Sequence, residues 1–324
     1  MEILEFTNKM EKALAEYYGE SAEVKIQKVY KNNDVLLYGV CIIEKDKNIA
    51  PTIYLNQFHE AYEEGESFSE IFRTVIKINE DNQVSDNLNM DFFFDYENVK
   101  KRLVLRLINL EGNTEVLKEV PYQKFLDLAV VCHLTMASEE IGCGAILIRR
   151  EHMKSWGIDE ETLFRDAYDN SPRMEPYQIM KMEDMVKQLL QERVVAEAYS
   201  MYEDETEAEK MIAYMMDYID RKVDDVEFTM YVLSNKNRYF GAACIVYPQV
   251  LEKIGELLQD DYYVIPSSVH EVLLISQKKC IDSDSVNRII EDVNWTQVEE
   301  EEWLSDHTYL YERKDKRLVP ITSQ

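Results

Sequence analysis

The chain is short of basic residues, glycine, proline and closely spaced cysteines, and each shortage excludes something. Its 324 residues carry 36 Lys and Arg against 63 Asp and Glu, a formal charge of −27. Nucleic-acid binding relies on clustered Lys and Arg that displace phosphate counterions, so none is expected, and an anionic membrane surface is disfavoured for the same reason. Nine glycines and seven prolines leave little material for long flexible linkers. The five cysteines (Cys41, Cys132, Cys143, Cys244, Cys280) are odd in number, and no two have C-x-x-C spacing. That argues against a disulfide framework and against a zinc or redox motif, and they read as reduced, buried small hydrophobes. No apolar run approaches the roughly 20 residues of a membrane span. The longest, near "LDLAVVCHLTMA", carries Asp127 and His133. The opening "MEILEFTNKM" has glutamates where a secretory signal has cations. A cytoplasmic protein is the expectation.

What is present is globular: 46% hydrophobic residues with 21 Tyr and 11 Phe. Ile3, Phe6, Met10, Leu14 and Tyr17 recur at three- and four-residue spacing, which predicts one apolar helical face over 2–18, ended by Gly19. "AEVKIQKVY" and "DVLLYGVCIIE", joined by "KNND", predict a β-hairpin. Pro51 keeps the next apolar run out of a central strand. Helices are predicted in "LNQFHEAYEEG" and in "SFSEIFRTVIKINED", the second opened by Ser67 and Glu70 as a capping box, and again around Met90–Lys101. "RLVLRLINLE", "KFLDLAVVCHLTM" and "GCGAILIRR" read as strands. Two helices follow, one ending at Gly157, the other capped by Asp159 and stopping before Pro172. From 225 onward "EFTMYVLSN", "RYFGAACIVY", "DYYVIPSS", "VHEVLLIS" and the pair in "HTYLYERKDKRLVPI" read as strands. "PQVLEKIGELLQD", with Pro248 in its first turn, and "DSDSVNRIIEDVN" read as helices.

Strands and helices mix without βαβ alternation, so the expected class is α+β, with mixed or antiparallel sheets packed by helices. The expected organisation is an N-terminal half over 1–171, a Met-rich acidic helical connector over 172–224 and a C-terminal half over 225–324. The connector reads as packed core helix or as a mobile, partner-facing segment, because methionine fills loosely specified contacts.

The motifs of common chemistries are missing. There is no Walker A loop, no dinucleotide fingerprint, no G-x-S-x-G elbow, no H-E-x-x-H and no EF-hand loop. The most site-like stretch is "PSSVHE". Ser267 or Ser268 with His270 could form a nucleophile and base, the only candidate catalytic residues. On an extended strand Ser268 and His270 share a face, about 6–7 Å apart at Cα, while Glu271 points the other way, so a distant acid would be needed. The plainer reading is a polar bend, with Pro266 ending one strand, the serines bonding the turn and His270–Glu271 opening the next strand. A metal site would have to join His270 to His307 or His133 with a carboxylate; no ligand spacing supports it, and no metal or cofactor is expected. The acidic runs near 203–209 and 298–303 read as solvated faces, with a DNA-mimicking surface as a minor alternative.

Five stretches, "PTIYLNQFHEAYEEGESF", "FLDLAVVCHL", "WGIDEETLFRDAYDNSP", "YYVIPSSVHEVLLI" and "VNWTQVEEEEWLSDHTYLYERK", run in order along nearly the whole chain. Together they resemble an uncharacterised bacterial family, a domain of unknown function found mainly in anaerobic, low-GC Gram-positive bacteria. "WGIDEETLFRDAYDN" and "PSSVHEVLLI" bear a more distant likeness to a second uncharacterised bacterial family. The resemblance implies a bacterial cytosolic protein and carries no activity, substrate or cofactor. The expected function is that of a non-catalytic acidic protein that binds a protein partner. The alternative is an enzyme of unrecognised class with its site near Ser267–Glu271.

Overall fold

The computed structural model describes residues 1–48, 50–83, 91–138, 142–202, 204–224, 230–266, 268–279 and 299–321. The predicted helix in "DSDSVNRIIEDVN" lies outside these residues. The chain divides into two compact units: residues 1–103, 110–122 and 131–167 form the first, and residues 104–109, 123–130 and 168–324 the second.

The first unit opens with α1 (Ile3–Tyr18). Phe6, Met10 and Leu14 are fully buried at the predicted spacing, and Gly19 ends the helix at φ 54°. Tyr17 departs from expectation. It is 56% exposed, because its neighbour Tyr18 turns inward instead, where its hydroxyl accepts a hydrogen bond from Asn79. Strands β1 (Ala22–Tyr30) and β2 (Leu36–Glu44) form the predicted antiparallel hairpin, and β3 (Thr52–Tyr54), after Pro51, adds an edge strand to β2. Helix α2 (Asn56–Glu63) and helix α3 (Phe68–Asp81) follow. Ser67 Oγ caps α3 by accepting the N–H of Glu70 at 3.3 Å, but the Glu70 carboxylate takes the Ser67 hydroxyl at 2.6 Å rather than the backbone N–H that a full capping box would use. Ile71 and Val75 of α3 meet Phe6, Met10, Leu14 and Val40 in one apolar core.

The stretch read as a helix over Met90–Lys101 is three short turns: 3₁₀ at Asp91–Phe94, α4 (Tyr96–Val99) capped by Asp95, then 3₁₀ at Lys100–Arg102. Strand β4 (Leu103–Asn109) is buried along its whole length. The single strand expected in "KFLDLAVVCHLTM" is two, β5 (Tyr122–Phe125) and β6 (Leu128–Ser138), separated by a two-residue turn in which Leu126 takes φ 58°. The sheet order is β4-β6-β5, and β7 (Gly142–Leu147) also pairs with β6, antiparallel. Helix α5 (Arg150–Trp156) stops at Gly157 in the left-handed region. Helix α6 (Glu160–Met174) does not stop before Pro172 but runs through it. Proline so near a helix end forfeits only one main-chain bond. The turn is also fixed from outside, since Ser171 Oγ accepts the N–H of Leu105 at 2.9 Å.

The second unit is built on a six-stranded antiparallel sheet in the order β13-β12-β10-β11-β9-β8. Its strands are β8 (Tyr177–Lys181), β9 (Met230–Asn235), β10 (Tyr262–Ile265), β11 (Val272–Ser276), β12 (Tyr309–Glu312) and β13 (Arg317–Pro320). Strand β11 lies between β10 and β9, the central position that its apolar run implies, but it begins only at Val272, so His270 and Glu271 stand in the loop before it. Between β8 and β9 come α7 (Met182–Met201) and α8 (Glu205–Asp224), which pack on one another. "RYFGAACIVY" is not a strand: Gly241–Val246 form a 3₁₀ helix. Its small residues let it lie close on β9, and a Cβ at Gly241 would stand 2.5 Å from the Asn235 nitrogen and 2.7 Å from the His270 carbonyl oxygen. Helix α9 (Val250–Leu258) begins two residues beyond Pro248, after Gln249 in the left-handed region. The class is α+β, as expected.

Candidate functional site

The loop between β10 and β11 carries the serine–histidine pair. Its backbone is held on two sides. The N–H of Val269 donates to the carbonyl of Glu302 at 2.8 Å, and the carbonyl of Val269 accepts the N–H of Ala242 at 3.1 Å. Ser268, 6% exposed, pairs across to Trp303 as an isolated bridge. Its Oγ accepts the backbone N–H of His270 at 3.0 Å, a serine turn.

The imidazole of His270 points elsewhere. Its Nδ1 accepts the N–H of Phe240 at 3.1 Å, which places the ring proton on Nε2, and Nε2 lies 3.2 Å from the Glu302 carboxylate. The ring packs against both Tyr239 and Phe240, tilted to each, with centroids 5.5 Å away. Phe240 and Arg238 both take positive φ, 53° and 52°, a costly conformation for residues with a Cβ. What holds them there is a buried polar cluster. Asn235 receives the N–H of Tyr239 at 3.2 Å and donates to the Tyr239 carbonyl at 2.8 Å. Behind it Arg106, 2% exposed, forms a two-pronged ion pair with the buried Glu175, with Nη2 to Oε1 at 2.6 Å. The Arg106 guanidinium also lies 5.3 Å from the Phe240 ring centre. Burial, chiefly, raises the Glu271 carboxyl above the usual glutamate range.

Among the described residues, no hydrogen bond joins the Ser268 hydroxyl to the His270 ring. Ser267 lies outside them. Glu302 lies against Nε2 of the ring, so both ring nitrogens are engaged by groups other than the serine. A second Ser-x-His follows the same local rule: Ser305 Oγ accepts the N–H of His307 at 2.9 Å and donates to Asp127 at 2.7 Å. Asp127 also accepts the Tyr309 hydroxyl at 2.5 Å and lies 3.5 Å from the His307 ring. His270 and His307 thus engage different carboxylates. No group of three or more His, Cys, Asp and Glu among the described residues is arranged to hold a metal ion.

A different feature of the second unit is a surface. On α7, Met182, Met185, Leu189, Glu192, Ala196 and Tyr199 follow one another at alternating three- and four-residue spacing. That is the seam spacing of a coiled coil, apolar at every position but Glu192. Leu189 is 46% exposed and Tyr199 54%. The Glu192 carboxylate lies 3.9 Å from the Arg238 guanidinium. On α8, Ala208 and Ile219 are buried, while Met211, Tyr214 and Tyr218 form a second exposed row, with Tyr214 at 67%. Sequence reasoning singled out this segment for its methionines and acids. The heptad spacing on α7 was the signal it did not use.

The fold defines an α+β protein with antiparallel sheets, a buried arginine–glutamate pair and a helical hairpin with exposed apolar side chains. The chain belongs to the Family of unknown function (DUF5688), whose match covers residues 3–313. No curated protein and no solved structure matches it. No helix among the described residues is long and apolar enough to cross a membrane.

Proposed function

We propose that the protein acts by holding a protein partner rather than by catalysis, in a bacterial cytoplasm, and that the α7–α8 hairpin is the holding surface. The observation that carries this reading is the seam on α7. Leu189, Ala196 and Tyr199 stand exposed there at heptad spacing, with Met182 and Met185 partly exposed, although such a stripe is normally buried against another helix. The occupant is a partner helix with its own apolar seam. Glu192, the polar member of the row, fixes the register of that helix, as a single polar seam position does in coiled coils. Acids outnumber bases on the hairpin, so the flanks of the partner helix are basic. Free Cys41, Cys132 and Cys244 accord with a reducing compartment. The Ser268–His270 loop supports the same reading: both ring nitrogens are engaged, as in a structural cap.

The test is capture from a lysate by the full chain, at low and moderate salt, beside Leu189→Asp and Tyr199→Asp variants that retain the wild-type melting temperature. A protein retained by the wild type and lost by both variants supports the reading. Recovery of the same proteins by all three, or of none by the wild type, overturns it.

A further inference from the structure

Helices α1 and α3 of the first unit enclose a second feature that the hairpin reading does not use. Between them lies a groove of about 530 Å³, within the size range of ligand sites. Its floor and one wall are aromatic. The rings of Phe68 and Phe72 stack at 6.5 Å, and Tyr17 meets Phe72 edge-on at 6.0 Å. Ala13, between Lys9 and Tyr17 on the same face of α1, leaves a notch where a larger side chain would close the groove. The lining runs along α3 from Phe68 to Glu80, roughly 18 Å at the rise of an α-helix. That elongated shape suits a helix of three turns better than a compact small molecule.

The charges are the informative part. Arg73 and Lys77, both exposed on α3 and both lining the groove, make no ion pair among the described residues. Lys9 stands over the Phe68 ring at 4.0 Å, at the opposite end of the groove from Glu80. Of the charged residues that line the groove, Arg73 and Lys77 are cationic and Glu80, at one end, is acidic, while Lys9 stands beside the other end over Phe68.

We infer that this groove docks an acidic amphipathic helix of a partner protein. An apolar side chain of that helix enters the notch at Ala13 and lies against Tyr17 and Phe72. Carboxylates one turn to either side meet Arg73 and Lys77. Glu80 repels a helix that is acidic along its whole length, so the acids cluster toward the Lys9 end. The surface belongs to α1 and α3 alone, and its failure leaves the hairpin reading untouched.

The probe is a fluorescently labelled helical peptide of about 14 residues, with Leu at three- and four-residue spacing and Glu flanking the leucines. Its anisotropy is followed on titration with the full chain. The expected result is saturable binding that weakens as salt rises and drops by about tenfold or more in Arg73→Glu/Lys77→Glu. Binding is lost in Ala13→Leu, which fills the notch from a position that is not part of the buried core. Thermal unfolding confirms that each variant is folded, and the Arg73 and Lys77 pair, being on the surface, serves if Ala13→Leu is not. A version with Lys in place of Glu should not bind. Equal binding of the Glu and Lys peptides, equal binding by the variants, or no binding at all overturns the inference. So does a concentration-dependent dimer of the full chain that Ala13→Leu dissociates, which would make a second copy the occupant.

Discussion

Ser268 and His270 are bonded through the backbone and not through their side chains. The serine Oγ holds the histidine N–H at 3.0 Å, while the ring accepts from Phe240 and reaches Glu302. The ring therefore fixes a neighbouring loop whose Phe240 sits in an unfavourable backbone region. Replacing His270 with Ala removes the acceptor of the Phe240 N–H and should cost about 1–2 kcal/mol in denaturant unfolding. Partner binding should be unchanged in the fraction that is folded. Near-native stability with partner binding gone would instead make the imidazole a recognition group.

The buried pair of Arg106 and Glu175 makes a sharper prediction. Removing one member strands a charge in the interior, so Arg106→Met or Glu175→Leu alone should cost about 3–5 kcal/mol. Removing both, as Arg106→Met with Glu175→Leu, should cost clearly less than the sum of the singles, because no charge is left behind. Urea titrations of the three variants give the cycle. Additive losses would show that the two side chains do not depend on each other.

Thiol chemistry separates three of the cysteines. Burial pushes the Cys244 thiol up to about 12 and raises that of Cys132 as well, so at pH 8 neither holds appreciable thiolate. Cys41 is partly exposed on β2. Iodoacetamide at pH 8 should alkylate Cys41 in the native protein and reach Cys132 and Cys244 only on unfolding, as read by mass mapping. Native-state labelling of Cys244 at the rate of Cys41 would contradict the buried placement.

Much of the fold was legible because it is local. The periodicity of α1, the hairpin of β1 and β2 and the cap at Ser67 each depend on residues within one turn or one strand pair. Reading failed where tertiary packing overrides local preference. Leu126 makes a turn at φ 58°, a conformation usually signalled by glycine or asparagine, so "KFLDLAVVCHLTM" looked continuous. "GAACIV" has the apolar run of a buried strand, and only the close approach to β9 makes it 3₁₀. The candidate site was legible in its serine and histidine and not in its surroundings. Glu302 is 32 residues from His270, and Glu175 is 69 from Arg106. A lone arginine inside the apolar run "LVLRLIN" was the visible trace of that pair, since a cation in a buried strand requires a partner.

Glu271 is half-buried just before β11, and the loss of hydration raises its carboxyl above the ordinary value of about 4.5. His270 and Arg238 pull it down by smaller amounts, and the Glu302 charge pushes it up. Between its unfolded and folded values the native state therefore holds the proton while the unfolded chain has released it. Stability falls as pH rises through that interval, and the deficit persists at neutral pH. Glu271→Gln keeps the shape without the charge. It should melt higher than the wild type at pH 7, and the two should converge below about pH 4, where the wild-type carboxyl is protonated in both states. Melting curves at pH 4, 5.5 and 7 decide the matter. A glutamine variant less stable than the wild type at pH 7 would mean that the ionised carboxylate is stabilised by His270 and Arg238 more than burial costs it.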